Sequence, residues 1–571
     1  MQMRDFVVRF AGEGGQGVVT SAEGLAQTAT NAGYHALTFA TFPSQILGGP
    51  TWTQARISVN PILSAGDDVN VLVVFNREAY DTHQSEVRDG GVVIFNSNEF
   101  QLDDDPRGFG LPIDELAKST GNNRAANMVV IGALAHLVNM PKDFLDEFVT
   151  KRFSRGRVGD DEIIRSNIEA MNLGRNHIAG TGFSLGELAP PEKPEETQIM
   201  LKGNEAICLG ALAAGLEFYA GYPISPATTV LLYMERNLVG SGKFSYQVSS
   251  EIESITALLG AGFAGKKCMT ATAGPGISLM SEGLGLAWMA EIPMVIVDVQ
   301  RGGPATGLPT KTEQSDLMSC MFPAHGDVRL PIIAVGTVEE CFYGAIKALN
   351  WAEKYQGPVI LMSEMSLAER VQNIPKPDIS KVEIENRLVY QGTNGYKRYA
   401  GFELSAMPLP GSPGAYVANG SEHDDMGDTT HLGERHIQMT QRRFSKIHLL
   451  EEDDYERDNA EASIALVPWG GSKGPAQDAY LELQKIGVDI GWYYTMFLNP
   501  LPPKMLEELR KKDLVIVPEL NYQGQFASIL RSMGVKAEAI TQYTGLPFKV
   551  RDLVTQVKDL VGAFDKEMVR A

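Results

Sequence analysis

Cysteine is scarce in this chain of 571 residues: only Cys208, Cys268, Cys320 and Cys341 occur. No two share the CxxC spacing of a zinc or iron–sulfur site, which argues against a disulfide framework and a self-contained cluster. The nine histidines include no HExxH, and His431 and His436 read as exposed polar residues. No apolar run approaches ~18 residues, so no helical membrane span is expected. The opening MQMRDFVVRFAGEGG has neither the apolar core nor the cleavage site of a signal peptide. A cytoplasmic chain is the expectation. Positive charge is also short: 50 Lys and Arg face 70 Asp and Glu, a net −20. Nucleic acid and anionic membrane therefore drop out as default partners.

What remains is an ordinary globular balance, 44% hydrophobic and 21% charged, long enough for three or four domains at about 150 residues each. Glycine is abundant at 58 residues, above the usual ~7%, as tight strand–helix turns require. Residues 1–183 alternate apolar strands (DFVVRF, HALTFATF, NVLVVF, GGVVIFN) with helices, which predicts a largely parallel sheet covered on both faces. Residues 184–198 hold three prolines and four glutamates and read as a linker. A second α/β unit spans 199–370, with strands near EFYAGY, FSYQV, CMTATA, MVIVDVQ and PVILMS. Residues 371–460 read as an irregular connecting segment packed on a neighbour. A smaller α/β unit, 461–571, contains the strands SIALVPWG and DLVIVPEL.

The turn Gly12-Glu13-Gly14-Gly15-Gln16-Gly17 follows a strand and opens a helix, the setting in which backbone N–H groups cradle phosphate. A dinucleotide site also needs an acid at the end of the second strand. That strand ends Thr38-Phe39-Ala40-Thr41, which disfavours a nicotinamide dehydrogenase and leaves another phosphate-bearing ligand open.

Three segments of the second unit carry chemistry. In Tyr222-Pro223-Ile224-Ser225-Pro226, Ser225 reads as an N-cap before an N1 proline, at a helix end suited to a carboxylate. In Ser249-Ser250-Glu251-Ile252-Glu253, Ser250 and Glu253 have capping-box spacing, which leaves Glu251 without a capping task. A small-residue helix face follows, then Thr272-Ala273-Gly274-Pro275-Gly276. Arg301 stands where an apolar strand meets the loop GGPATGLPTKTEQ, at the strand-end rim where α/β ligands bind, and its fork can grip a carboxylate.

The Glu251 turn with the T-x-GPG strand end resembles the pyrimidine-binding domain of thiamine diphosphate enzymes. Taken with YPISP, TATAGPGISLMSEG and QRGGPATGLPTKTEQSDL, the chain resembles the α subunit of 2-oxoacid:ferredoxin oxidoreductases of the 2-oxoglutarate type. GEGGQG, FPSQILGGPTWTQARIS and Asn76 resemble that family's γ domain fused ahead of α; PELNYQGQFASILR resembles its closing domain.

The resemblance implies a multidomain α/β fold: a parallel-sheet γ domain, a pyrimidine-binding domain and a C-terminal transketolase-like domain. It implies that Glu251 activates thiamine diphosphate through the N1′ atom and that Gly274 and Gly276 border the cofactor. Ser225, Arg301 and Thr310 would hold the 2-oxoacid carboxylate, with Lys311 a candidate for a distal one. The family commonly has threonine at the Ser225 position and often arginine where Leu47 stands, so no role passes to Leu47. GSEHDDMG (420–427) matches without an assigned role. No GDG motif for Mg²⁺ and diphosphate is found: Gly326-Asp327 with Asn350, and Gly66-Asp67, are set aside as spacing accidents. Mg²⁺ and a [4Fe–4S] cluster are therefore expected on a β subunit that shares the cofactor in an (αβ)₂ assembly, with CoA as cosubstrate and ferredoxin as electron partner. The alternatives are the same chemistry on pyruvate or another 2-oxoacid, and a non-catalytic scaffold subunit.

Overall fold

The computed structural model describes residues 2–43, 49–192, 194, 196–402 and 404–570, with backbone only over 565–570. Leu47 lies outside the described residues. The chain divides into two compact units, one of residues 1–201 with 370–376, the other of 202–369 with 377–571.

The first unit is built on an eight-stranded sheet. Its order is Gly108–Leu111, Val87–Asn96, Val69–Val74, Asp5–Glu13, Pro50–Ser58, His35–Thr41, Val371–Pro375, Gln198–Lys202. The first four strands are parallel. Pro50–Ser58 runs antiparallel to both of its neighbours, so the sheet is more mixed than the helix–strand alternation predicts. That strand carries polar residues at buried positions: Gln54 accepts from Arg9 Nε at 3.0 Å and donates to the carbonyl of Ala65 at 2.7 Å. Its hydrophobic signal is correspondingly weak. Part of the expected linker is ordered as strand, Glu187–Leu188 pairing in parallel with Gln2–Met3.

The second unit contains two sheets. The larger runs Phe244–Gln247, Phe218–Gly221, Cys268–Thr272, Met294–Gln300, Pro358–Glu364, Ile332–Ala334 and Phe497–Asn499. All but the last are parallel. Every residue of Met294–Gln300 and Pro358–Glu364 is buried, as a strand covered on both faces demands. The smaller sheet holds Glu456–Asp458, Gly491–Tyr494, Ile464–Leu466, Leu514–Glu519 and Ala537–Thr541 around its own apolar core.

The segment 371–460 is not wholly irregular. It opens with the strand Val371–Pro375 of the first unit's sheet and later forms the helix Gly433–Ser445. Some of its charged residues are internal. Arg442 is fully buried on Glu291, and Arg443 donates to Glu422 at 2.7 Å. Among the described residues no helix is long and apolar enough to cross a membrane.

Candidate functional site

In the second unit, parallel strands end side by side and release helices whose N-termini face one corner. Thr272 pairs with Asp298 across the strands Cys268–Thr272 and Met294–Gln300. This register brings the turn at Gly274 and the loop that starts at Arg301 to the same end of the sheet.

Glu251 opens the helix Glu251–Phe263 behind the N-cap Ser250, whose Oγ accepts from the N–H of Glu253 at 3.2 Å. The reciprocal half of the expected capping box is displaced by one residue. The Glu253 carboxylate accepts from the Ser249 hydroxyl at 2.6 Å and its N–H at 2.7 Å, and these bonds hold its pKa below the ordinary value. Glu253 stays exposed, while Glu251 turns inward to 5% exposure. Gly276 makes room for it. A Cβ there would lie 2.8 Å from Glu251 Cγ and 3.1 Å from its Oε1, and closer still to Thr272 Oγ1. The Glu251 carboxylate thus lies against the first turn of the helix Gly274–Met289, whose N-cap Ala273 offers no side-chain cap and whose dipole favours negative charge at this end.

Arg301 is 7% exposed and donates from Nη1 to the carbonyl of Ser225 at 2.8 Å. Its Nε has no hydrogen-bond partner among the described residues. Burial lowers its pKa, opposed by the charges of Asp316 and Glu251. Ser225 is not the cap the sequence predicts. The next helix is Thr228–Asn237 with Ala227 as N-cap, and Thr228 donates to the carbonyl of Ile224 at 2.9 Å, which makes 225–227 a turn ahead of the helix. Ser225 meets the corner through its backbone, its side chain remaining exposed.

The loop after Arg301 folds back on itself. Leu308 donates to the carbonyl of Gly302 at 2.8 Å and Gly302 to that of Lys311 at 3.0 Å. Gly307 has φ +49°, and a Cβ there would strike the Gly302 carbonyl. Thr310 and Lys311, both half-buried, sit on the returning limb. Burial lowers the Lys311 pKa, and its stem lies 2.7 Å from where a Gly545 Cβ would stand. Hydrogen bonds to the smaller sheet's loops fix this limb: Gln314 Nε2 to the carbonyl of Trp469 at 2.8 Å, Asn521 Nδ2 to that of Gln314 at 3.0 Å, and Gln525 Nε2 to that of Ser315 at 2.7 Å. The PELNYQGQ segment therefore anchors the loop.

Sequence reasoning missed a carboxyl pair here. Asp298 is fully buried in the strand before Arg301, and Asp316 lies at the loop's end. Asp316 packs so closely on Gly274 that a Cβ there would lie 2.7 Å from each carboxylate oxygen. Burial, then Glu313, raises the Asp316 pKa to about 6, against the pull of Arg301. The signal was present, since an aspartate inside the otherwise apolar MVIVDVQ is a buried charge that needs a reason.

The glycine turn of the first unit also borders a cavity. Gly15 and Gly17 have φ +98° and +82°, and Gly17 caps the helix Val18–Asn31. The cavity of about 1080 Å³ beside them is lined by Arg124, Arg152, Arg155, Arg157 and Arg165. GSEHDDMG folds as a tight turn with His423 buried against Tyr399, ring centroids 4.3 Å apart. His436 is exposed, with Nδ1 2.5 Å from Glu422. Among the described residues no three His, Cys, Asp or Glu side chains are grouped to hold a metal.

Comparison with known proteins gives first the class. The model of the thiamine diphosphate-binding domain of pyruvate flavodoxin/ferredoxin oxidoreductases matches residues 209–442, and that of pyruvate ferredoxin/flavodoxin oxidoreductase matches 7–177. The 2-oxoglutarate oxidoreductase subunit KorA of Mycobacterium tuberculosis is 30% identical over 96% of this chain and 90% of its own. The chain belongs to the 2-oxoacid:ferredoxin oxidoreductase family, among its α subunits. More particularly, it is similar to members that act on 2-oxoglutarate. The 2-oxoglutarate synthase subunit KorA of Methanocaldococcus jannaschii is 36% identical over 60% of this chain and 93% of its own. A solved 2-oxoglutarate:ferredoxin oxidoreductase from Magnetococcus marinus, with 2-oxoglutarate, coenzyme A and succinyl-CoA bound, superposes with a TM-score of 0.92 at 36% identity, covering 98% of this chain and all of that one.

Proposed function

We propose that this chain is the α subunit of a CoA-acylating 2-oxoglutarate:ferredoxin oxidoreductase. The reaction is 2-oxoglutarate plus CoA plus two oxidised ferredoxins giving succinyl-CoA, CO₂, two reduced ferredoxins and a proton, in either net direction. The observation that carries this reading is the convergence of Glu251 and Arg301 on glycine-lined helix N-termini, in a chain similar end to end to an enzyme of that activity.

The corner fits the pyrimidine end of thiamine diphosphate. Glu251 offers an inward carboxylate, and Gly276 leaves bare backbone beside it where any Cβ would displace that carboxylate. When bound, thiamine diphosphate supplies the nucleophilic carbon and the electron sink that 2-oxoacid decarboxylation requires. Glu251 holds a proton between its carboxylate and the N1′ atom and so activates the cofactor. Gly274 and Gly276 shape the cofactor's bed. Arg301 grips the 2-oxoacid carboxylate through the guanidinium edge not committed to Ser225, with Thr310 beside it, and Lys311 serves the distal carboxylate. Ser225 contributes by holding Arg301 through its carbonyl.

The cavity beside the glycine turn, whose five arginines are interspersed with five carboxylates, is the candidate place for the phosphates of CoA on its arginine side. The [4Fe–4S] cluster, Mg²⁺ and the diphosphate are assigned to a β subunit in a cytoplasmic (αβ)₂ complex that delivers electrons to ferredoxin. The four cysteines here are buried and form no disulfide. Ile252 and Leu279, each about half exposed on the Glu251 and Gly274 helices, give apolar surface for that subunit. The test is a 2-oxoacid panel on the αβ complex with a low-potential acceptor. The highest kcat/KM is expected for 2-oxoglutarate; a preference for pyruvate or a branched 2-oxoacid refutes the substrate assignment, and no reduction with any 2-oxoacid refutes the activity.

A further inference from the structure

Lys311 differs from other half-buried lysines of its unit. Lys266 pairs with Glu217 at 2.8 Å and Lys347 with Glu452 at 2.8 Å. Among the described residues the Lys311 ammonium makes no ion pair, and burial lowers its pKa with no neighbouring charge to oppose it. An ammonium that gives up water without a carboxylate in return costs stability, which a ligand anion offsets. The main chain around it is fixed. Its N–H donates to the Leu308 carbonyl at 3.0 Å, and its carbonyl accepts at 3.0 Å from Gly302, the residue after Arg301. Lys311 and Arg301 thus stand on adjoining limbs of one loop. Thr312 donates its N–H to the Gly545 carbonyl at 3.1 Å and its hydroxyl to buried Glu364 at 3.4 Å. Gly545, with φ +76°, lies between the strand Ala537–Thr541 and the helix Val550–Arg570. Gln542 closes that loop, its N–H donating to the Glu519 carbonyl at 3.0 Å and its Nε2 to those of Leu546 at 2.7 Å and Pro547 at 3.1 Å. A Cβ on Gly545 would lie 2.7 Å from Lys311 Cβ, 3.1 Å from its Cγ and 3.6 Å from its Cδ. The clash is with the near end of the lysine, which follows the main chain, so no change of rotamer relieves it.

We infer that Gly545 is a positioning residue: it sets Lys311 for the distal carboxylate of the 2-oxoacid and so fixes the preference for a dicarboxylic substrate. This rests on the assignment of 2-oxoglutarate as substrate and of Lys311 to its distal carboxylate. 2-Oxoglutarate and pyruvate share the 2-oxoacid end, which Arg301 meets in the same way. They differ in the distal carboxylate, so discrimination resides with the cation that meets it. A charge-assisted hydrogen bond forms only at short range, and a lysine stem is flexible. Left free, the stem would spread the ammonium over many positions. Gly545 gives three stem carbons bare backbone to lie along, and the Thr312 N–H bond holds the limb against it. The element that selects the substrate therefore includes a loop of the smaller sheet, far along the chain from the segments that carry Glu251 and Arg301.

The experiment measures kcat and KM of the αβ complex for 2-oxoglutarate and for pyruvate, with a low-potential acceptor, in wild type and in variants at the two positions. Gly545→Ala should raise the 2-oxoglutarate KM roughly 10-fold or more, the scale of a lost charged hydrogen bond, with kcat and the pyruvate KM little changed. Asparagine tolerates a positive φ, so Gly545→Asn separates the added Cβ from backbone strain and should show the same loss. Lys311→Met should collapse the preference for 2-oxoglutarate. Gly545→Ala added to Lys311→Met should shift the ratio of the two kcat/KM values no further, because the glycine acts through the lysine. A loss of kcat/KM shared equally by both substrates, or an unchanged 2-oxoglutarate KM in the Gly545 variants, overturns the inference and leaves the function standing. A preference that survives Lys311→Met overturns the assignment of Lys311 and the inference with it, while the activity stands. A wild-type preference for pyruvate refutes the 2-oxoglutarate reading itself.

Discussion

Two places in the second unit bury charge, and they do so in opposite ways. At Glu291 one carboxylate is met by three cations. Arg442 donates at 2.8 and 3.1 Å, Lys446 lies at 3.1 Å and Arg398 at 3.5 Å, and all four side chains are buried. Burial pushes the Glu291 carboxyl up, but Lys446, Arg442 and Arg398 together bring it well below the carboxylate range. Lys446 is lowered to about 8, because burial and the two neighbouring arginines outweigh Glu291. At Arg301 the ratio is reversed: the carboxylates of Asp316 and Glu251 act on one guanidinium, and Asp316 Oδ2 and Arg301 Nε, like Arg398 Nε in the first cluster, lack partners among the described residues. One carboxylate held by three cations ties the 398–446 segment to Glu291. A cluster with acids in excess and unmatched atoms costs stability and is poised to respond to a ligand.

Glu291→Gln leaves three buried cations without their carboxylate and should cost roughly 3–5 kcal/mol, the scale of a broken buried pair, with the 2-oxoacid KM unchanged in the protein that remains folded. Because the folded pKa of Glu291 is depressed, its contribution is present above the unfolded value and lost as pH falls. The melting-temperature gap between wild type and variant should therefore narrow on acidification; a constant gap would show that charge is not what holds the segment. On the functional side, Glu251→Gln should reduce turnover on the order of 10²-fold or more, as for a lost acid–base group, with little change in melting temperature. Arg301→Lys keeps the charge and loses the fork; kcat/KM for 2-oxoglutarate should fall by roughly 1–3 kcal/mol of transition-state binding, and unchanged kinetics would place Arg301 outside the pocket. The smallest effect is Glu253→Ala, which should lower the melting temperature slightly and spare turnover. If it abolishes turnover while Glu251→Gln stays active, the roles of the two glutamates are exchanged.

Much of the corner was legible because local rules agree there. Apolar strands, glycine turns and a helix start leave Glu251 without a capping task, and the structure turns it inward. Arg301 stands at the strand end that the pattern indicates. What was not legible depended on partners distant in sequence. Ser225 fits a local cap rule, but its carbonyl is taken by Arg301, 76 residues away, and the helix begins three residues later. Pro50–Ser58 hides as a strand because its buried polar residues pair with Arg9 and Ala65. Arg442 has its partner Glu291 151 residues away, beyond any local rule. Asp316 gains its character only when the chain brings it under Gly274.

The strand Val371–Pro375 completes the first unit's sheet, yet residues 202–369 separate it from the rest of that unit. It lies against His35–Thr41, and its Asn373 side chain accepts from the N–H of Ala36 at 2.7 Å. During synthesis, at about 5–20 residues per second, the N-terminal sheet waits on the order of ten seconds or longer with that edge open. An open edge is a template for wrong pairing. A gene split between 201 and 202 would release an N-terminal product that keeps this edge for good, unless another strand were supplied. The two units are thus joined by the order in which they can be finished.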